Sequence, residues 1–417
     1  MMPSEKILIC GAGIAGSILA FWLAKNDFQV VVIERSRSEQ KAGQGLEIEE
    51  PALEVVRQMG LLDKLKEKRT GELGFNLLDE SFRSWGILKV DGCFSPTGAL
   101  EMMRGDMTEI FYKAADEFPN VTYRFETKIH SLRQTQDRVI VDLEDRNTKT
   151  ISTEDFDLVV GADGVRSRTR ELVMGSPEES SHFKAVGAFV AYFSIPKEEH
   201  DWPYSNLCNF PDRRLLWTRP VGKESTTTSV YLIYLHEDVP ELRRANADGD
   251  RMKQKEAFAE LYHGLGGETP RVIEQMMKAE NFYSDELVQV KLPQWSQDKV
   301  VLLGDAAWAP TPFTGEGNQL AIIGAWVLAQ ELSRNRNQLA FELYEKRLRS
   351  YVESAQNIPL GGYAPFLLNP QTSWGIWLLR IIFSLVSRLV PFFTWTKLAR
   401  LFPEETHPRF DLQVGRD

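Results

Sequence analysis

The segment KILICGAGIAGSILAFWLAKNDFQVVVIERS, residues 6–36, decides the fold. ILIC is a short apolar run with β-branched residues, GAGIAG follows at once, and SILAFWLAK carries apolar residues at helical spacing until NDF breaks it. QVVVIE reads as a second buried strand, so the order is strand, glycine turn, helix, strand, with an acid closing the unit. The glycines have separable tasks. Gly11 permits the tight turn, Gly13 lets a pyrophosphate approach the backbone, and Gly16 lets helix and sheet pack closely. Ile14 and Ala15 open the helix, whose first amides are free donors for phosphate. Glu34, followed by Arg35, is placed to accept from ribose hydroxyls, and its charge argues against a 2′-phosphate there. The unit therefore predicts a bound dinucleotide. NAD and FAD both use it, and this stretch alone does not choose between them.

Bulk properties remove several function classes. The chain has 417 residues, 43% hydrophobic and 26% charged, an ordinary globular balance with enough length for two interleaved domains. A formal charge of -10 lacks the basic field that nucleic-acid binding depends on. Cys10, Cys93 and Cys208 are odd in number and far apart, which suggests neither a disulfide framework nor a metal knuckle, and Cys10 should be inert in its buried strand. His182, His200, His236 and His263 show no ligand spacing, so no metal is expected. MMPSEK leads straight into an apolar strand and leaves no room for a signal peptide, so the expectation is a reducing, cytoplasmic setting.

Two later motifs choose the dinucleotide. DFDLVVGADGVRSRTRELV, residues 155–173, runs from a strand into a glycine-bracketed acid, Asp163, and then a helix. GDAAWAPTPFTGEGNQ, residues 304–319, places Asp305 after the apolar VVLL and follows it with Pro310, Pro312, Gly315 and Gly317. With GAGIAG, these stretches resemble the three fingerprints of the single-component FAD-dependent monooxygenases of the aromatic hydroxylase type. The likeness extends over about residues 5–350, including MRGDMTEIF around Arg104.

The resemblance implies FAD as cofactor, with NADPH or NADH as a transient co-substrate. It implies that Asp305 bonds the ribityl chain and that the turn 315–318, with Asn318 opening a helix, offers amides to the isoalloxazine ring. Helix-end dipoles would stabilise the anionic reduced flavin. Arg104 becomes a cofactor contact, Asp163 part of the second fingerprint, and Gly43 and Gly45 the turn that passes the flavin. The sequence also departs from the family pattern. Trp308 stands where histidine is usual, Gln319 where asparagine is usual, and Gly324 where aspartate is usual. Trp308 reads as a packing residue rather than substrate wall.

The fold class that follows is α/β: a Rossmann-like FAD-binding domain, mostly parallel sheet with helices, interleaved with an antiparallel-sheet substrate domain, plus a C-terminal helical tail. The expected division is FAD-binding parts at 1–72, 101–175 and 291–358, substrate-domain strands at 73–100 and 176–290, and the tail at 359–417. Alternating and aromatic runs such as HFKAVGAFVAYFSI and TTTSVYLIYL suggest antiparallel strands roofing an apolar pocket, with Tyr192, Phe210, Trp217, Tyr231 and Phe313 as lining candidates. Segment 241–280 reads as a charged amphipathic helical insertion solvated on the outside. In the tail, SWGIWLLRIIFSLVSRLVPFFTWTKLARLF is interrupted by Arg380 and Arg388 and broken by Pro391, so two amphipathic helices are expected. They would pack on the FAD domain, lie at a membrane surface through residues 373–402, or form a dimer contact.

The activity implied is NAD(P)H- and O2-dependent hydroxylation or epoxidation of a hydrophobic aromatic or polycyclic small molecule through a flavin C4a-hydroperoxide, in secondary metabolism. No catalytic acid or base is named by the residues. Two other readings stay open: an FAD-containing non-redox cyclase, kept alive by positions 308, 319 and 324, and a non-catalytic FAD-binding partner protein.

Overall fold

The computed structural model describes residues 5–37, 44–89, 100–175, 182–201, 203–335, 338–395 and 410–412. Its first strand, β1 (Lys6–Cys10), leads through the glycine turn into helix α1 (Ile14–Lys25) and then β2 (Gln29–Ile33), which pairs parallel with β1 from Lys6↔Gln29 to Cys10↔Ile33. Two parallel strands need a long crossover between them, and α1 supplies it. The six-stranded sheet runs Ser296–Gln297, Val300–Leu302, Leu158–Gly161, β1, β2, Val121–Arg124. All neighbours are parallel except the first pair.

Strand alternation splits this sheet between two cores. Ile7, Ile9, Val30 and Val32 face α1 and the long helix Gly317–Arg334. Leu8, Cys10, Val31 and Ile33 face the antiparallel sheet of Thr127–Gln134, Val139–Asp145 and Ile151–Phe156. Cys10 is buried there, and loss of solvation pushes its thiol far up, so it is inert as expected.

The second large sheet has seven strands in the order Tyr283–Val290, Phe183–Pro196, Thr227–Tyr234, Arg214–Pro220, Ser205–Phe210, Gly74–Leu78, Ser84–Lys89. It is not wholly antiparallel, because Ser205–Phe210 pairs parallel with Gly74–Leu78. One face is covered by Pro240–Asp248, Arg251–Leu261 and Thr269–Lys278. The expected amphipathic insertion takes the form of three helices laid on the sheet. Leu242, Phe258, Val272 and Met276 are fully buried against the sheet, each contributing about 1.5–3 kcal/mol, and the charged residues that dominate the composition occupy the outer side.

The tail also differs from expectation. One helix, Ser373–Trp395, continues through Pro391 instead of two helices flanking it. A proline removes a single i→i−4 bond, and here that loss does not end the helix.

Candidate functional site

Two of the three glycines of the turn are closely packed and the third is not. Gly11 has φ +112° and lies so near the Ala162 carbonyl that no Cβ would fit. Gly16 lies against the Gly11 carbonyl just as closely, whereas a Cβ on Gly13 would meet nothing within 4 Å. Two glycines thus serve packing and the third borders open space. No side chain caps the N-terminus of α1 and no acid lies in its first turn, so its orphan amides point into that space. Glu34 bends back to the same turn: Oε2 accepts from Ala12 N at 3.1 Å and Oε1 from Ser36 N at 2.9 Å. Arg35 is exposed beside it. Ile14 and Ala15 are buried.

Asp163 turns away from this space. Its Oδ2 accepts from Thr169 N (2.9 Å) and Thr169 Oγ1 (3.0 Å), and its Oδ1 accepts from Ser167 Oγ, the N-cap of the helix Arg168–Met174. Both oxygens are spent on holding the turn. The residue of this motif that sequence reasoning missed is Arg170. Buried over the Phe183 ring, it donates to Ala306 O at 2.8 Å and Val165 O at 2.7 Å, tying the second motif to the third. Desolvation pulls its guanidinium down to about 10.

In the third motif Gly304 has φ +65°, and the Ala15 methyl lies 3.0 Å from where its Cβ would be. Asp305 then opens the short helix Asp305–Trp308. Solvent reaches its carboxylate, yet protein surrounds it so densely that desolvation raises its pKa, an effect that Arg104 partly offsets. The two facts together describe the floor of a cleft. Thr311, a β-branched residue, is held at φ +84°, and its buried hydroxyl has no partner among the described residues. Such strain persists only where surroundings enforce it. Gly315 follows at φ +72° with open space where a side chain would be, and the helix Gly317–Arg334 starts without a side-chain cap.

Asn318 donates from Nδ2 to Glu47 O at 2.8 Å, while its buried Oδ1 is without a partner among the described residues. Gln319, in the amide orientation that satisfies both of its atoms, accepts from Glu49 N and donates to Glu49 O. Both therefore fasten this helix to the segment after the strand Gly45–Glu47. That strand pairs with Glu101–Met103, after which Arg104 opens the helix Arg104–Asp116. Gly43 lies outside the described residues. The remaining departures form one packing unit. Trp308 is buried against Trp295 (4.4 Å between rings) and Tyr344 (5.8 Å), and its ring lies 2.8 Å from the place of a Cβ on Gly324.

Across the cleft stands the face of the seven-stranded sheet opposite the helices from Pro240 to Lys278. Tyr192 and Tyr231 are directly opposite one another with rings 5.0 Å apart, and Trp217 meets Tyr231 at 5.4 Å. Phe313, from the third motif, packs on the same cluster. Phe210 does not belong to this wall. Strand alternation sends it to the opposite face, among Phe189, Leu242 and Phe258. Tyr231 Oη accepts from Gly45 N at 2.7 Å, linking the wall to the strand Gly45–Glu47. At the wall's end Tyr283 donates to Asp285 Oδ2 at 2.9 Å, and Arg166 Nε donates to the same oxygen at 3.2 Å.

Beneath Gly45 lies a buried charge cluster that no sequence signal announced. Arg219 pairs with Glu72 at 3.1 Å and with Glu101, and its guanidinium stacks 4.8 Å over Trp217. Burial alone would lower the Arg219 pKa, but Glu101, Tyr231 and Glu72 hold it above its usual value.

Residues 4–359 match the family model described as FAD binding domain. The chain belongs to this FAD-binding family. Among its relatives, Monooxygenase CTB7 of Cercospora beticola is 36% identical over 97% of this chain and 96% of its own. FAD-dependent monooxygenase asL4 of Sarocladium schorii is 30% identical over 93% and 94%. Among solved structures, tetracycline destructase Tet(51) superposes with a TM-score of 0.74 at 27% identity, covering 94% of this chain and 99% of its own. Klebsiella pneumoniae HpxO, solved with FAD and uric acid, shares the fold at TM-score 0.68 and 16% identity, covering 96% and 98%. The protein is accordingly a flavoprotein oxidoreductase of the FAD-dependent monooxygenase family, with FAD as cofactor. Its residues fit that group: an uncapped helix N-terminus beside open Gly13, an accessible acid on a cleft floor, and the unpartnered Asn318 Oδ1.

Proposed function

We propose that the protein uses NADPH or NADH and O2 to hydroxylate or epoxidise a hydrophobic aromatic or polycyclic small molecule in the secondary metabolism of an intracellular compartment. The observation that carries this reading is the position of Phe313. It belongs to the loop that follows Asp305, yet it packs on the Tyr192–Tyr231–Trp217 wall, so cofactor loop and apolar wall bound one space. The secondary-metabolism part rests on the fungal sources of CTB7 and asL4.

In this reading Gly11, Gly13 and the first amides at Ile14, Ala15 and Gly16 would hold the FAD pyrophosphate, and Glu34 and Arg35 the adenosine ribose. Asp305 would accept from the ribityl chain, and Arg104, Gly45 and the amides from Gly315 to Asn318 would hold the ring. Asp163 acts at one remove by shaping the second turn. When bound, the flavin supplies the electron transfer and oxygen chemistry. The chain's own residues orient the substrate, exclude water and hold the ring. Tyr192, Trp217 and Phe313 present a dry aromatic surface on which a flat substrate stacks. Tyr231 has its hydroxyl engaged by Gly45 N, and burial pushes its pKa up, so it positions the turn and is no base at neutral pH. Trp308, Gly324 and Gln319 are accounted for by packing and a main-chain clamp, so they give no separate support to the non-redox cyclase.

The test is stopped-flow absorbance with the flavin-loaded protein. Reduction by NADPH or NADH without oxygen, accelerated by aromatic candidates, followed by oxygen-dependent reoxidation with one 18O atom in product, is the expected outcome. Product formed with the flavin oxidised throughout and no nicotinamide consumed would overturn it.

A further inference from the structure

The helix Ser373–Trp395 packs with its more polar side inward. Arg380, buried, donates from Nη1 to Glu80 at 2.7 Å and from Nη2 to Asn209 O at 3.0 Å. Phe383 meets Phe75 at 5.8 Å, and Ser387 lies against Gly86, where any side chain would collide with it. The outward side is the apolar one. Trp374, Trp377, Leu378, Ile382, Leu385 and Leu389 are all exposed, between 36% and 69%. They fall on one face of the helix and span about 22 Å from Trp374 to Leu389. From Ser373 to Val390 the mean hydropathy is 1.5 with only 22% of the window buried. Leu367 and Leu368 in the preceding short helix add to the exposed apolar surface. A contiguous patch of this kind marks an interaction surface.

Charge selects the partner. From residue 359 to 400 the sequence holds Arg380, Arg388, Lys397 and Arg400 and no Asp or Glu, in a chain whose formal charge is -10. With Arg380 paired to Glu80, the exposed charge on the described helix is Arg388, and the sequence of the whole segment carries charge of one sign. A two-fold contact between copies would set like charges opposite each other, because such an interface pairs a patch with itself. Anionic lipid headgroups match both the basic residues and the apolar face, and the two tryptophans at the helix start suit the headgroup level. The helix cannot be encircled by lipid, since its inner side is fastened to the sheet.

We propose that the outward face of Ser373–Trp395 is a docking surface for an anionic phospholipid bilayer, with the helix lying in the interface plane. Phe383, Phe75 and Trp217 form a continuous series of ring contacts from this helix to the aromatic wall, so the docked surface adjoins the substrate side of the molecule.

Vesicle flotation of the full-length, flavin-loaded protein tests this. Vesicles of phosphatidylcholine with about a third phosphatidylserine should carry the protein upward, more than phosphatidylcholine alone, and salt should weaken the binding. Leu378→Glu with Leu385→Glu should lower the bound fraction about tenfold or more while flavin content and NADPH oxidation stay unchanged. Equal flotation of the variant and the parent would overturn the proposal. So would failure to float accompanied by a concentration-dependent dimer, seen by light scattering, that the same substitutions disperse; that result would assign the face to a second copy.

Discussion

The glycine turn at residues 11–16 and the aromatic wall on the seven-stranded sheet are built by opposite means. At the turn the backbone does the work, and side chains are kept out: Gly11 and Gly16 have no room for a Cβ, and Gly13 leaves space open. At the wall side chains do it. Tyr192, Tyr231 and Trp217 reach one another from three neighbouring strands, above a buried cluster of Arg219, Glu72 and Glu101. A site made of backbone is intolerant of any added atom but short in sequence. A site made of side chains is tolerant of small changes and scattered along the chain.

The contrast is breakable, beginning with the largest effect. Gly16→Ala would place a methyl inside the Gly11 carbonyl, beyond the roughly 1–3 kcal/mol of ordinary overpacking. The expected result is little folded flavoprotein, read as the ratio of 450 to 280 nm absorbance after purification. Normal flavin content would show that the turn yields more readily than its contacts imply.

Arg219→Met tests the wall's foundation. It leaves Glu72 and Glu101 buried without their cation, and stability should fall by about 3–5 kcal/mol at neutral pH. Urea unfolding would report it as a lower midpoint at an unchanged slope. A change under about 1 kcal/mol would mean that water or a shared proton already relieves the cluster.

Tyr231→Phe is smaller. Gly45 N loses its acceptor, at a cost of about 1–2 kcal/mol. Because the residue joins the wall to the strand Gly45–Glu47, KM for the aromatic substrate and flavin affinity should both weaken modestly, whereas a residue of the wall alone would move only KM.

The smallest effect is on pH dependence. Burial holds the Asp305 pKa above its ordinary 3.8 in the flavin-free fold. The folded state then binds more protons than the unfolded state between the ordinary and the raised value, so stability is full below that window and falls as pH rises through it. Asp305→Asn should flatten this part of the Tm-against-pH curve of the flavin-free protein. An unchanged curve would assign the slope to another group.

How much of this was legible follows from the same contrast. The turn was readable residue by residue, because glycine positions respond to local geometry that a dozen neighbours specify. Arg104 was readable as a helix start for the same reason. The wall was readable only as strands. Phe210 has the same aromatic character as Trp217, and only the sheet's register sends it to the helix-covered face. The stretch from Pro240 to Lys278 was readable as a charged amphipathic insertion, but not that its Leu242, Phe258, Val272 and Met276 would meet the back of this sheet. Gly324 looked like a lost functional residue, whereas it makes room for the ring of Trp308, sixteen positions away.

By itself the sequence determined the α/β class, the dinucleotide turn and the identity of the acid at 305, since each rests on contacts within one supersecondary unit. The tertiary structure decided which aromatic residues share a face, that Arg170 ties the second motif to the third, that Arg219 joins two distant glutamates, and that the last helix turns its apolar side outward. Those facts depend on which strands become neighbours and on which side a helix lands, and such choices are settled by the burial of the whole chain, not by any segment of it.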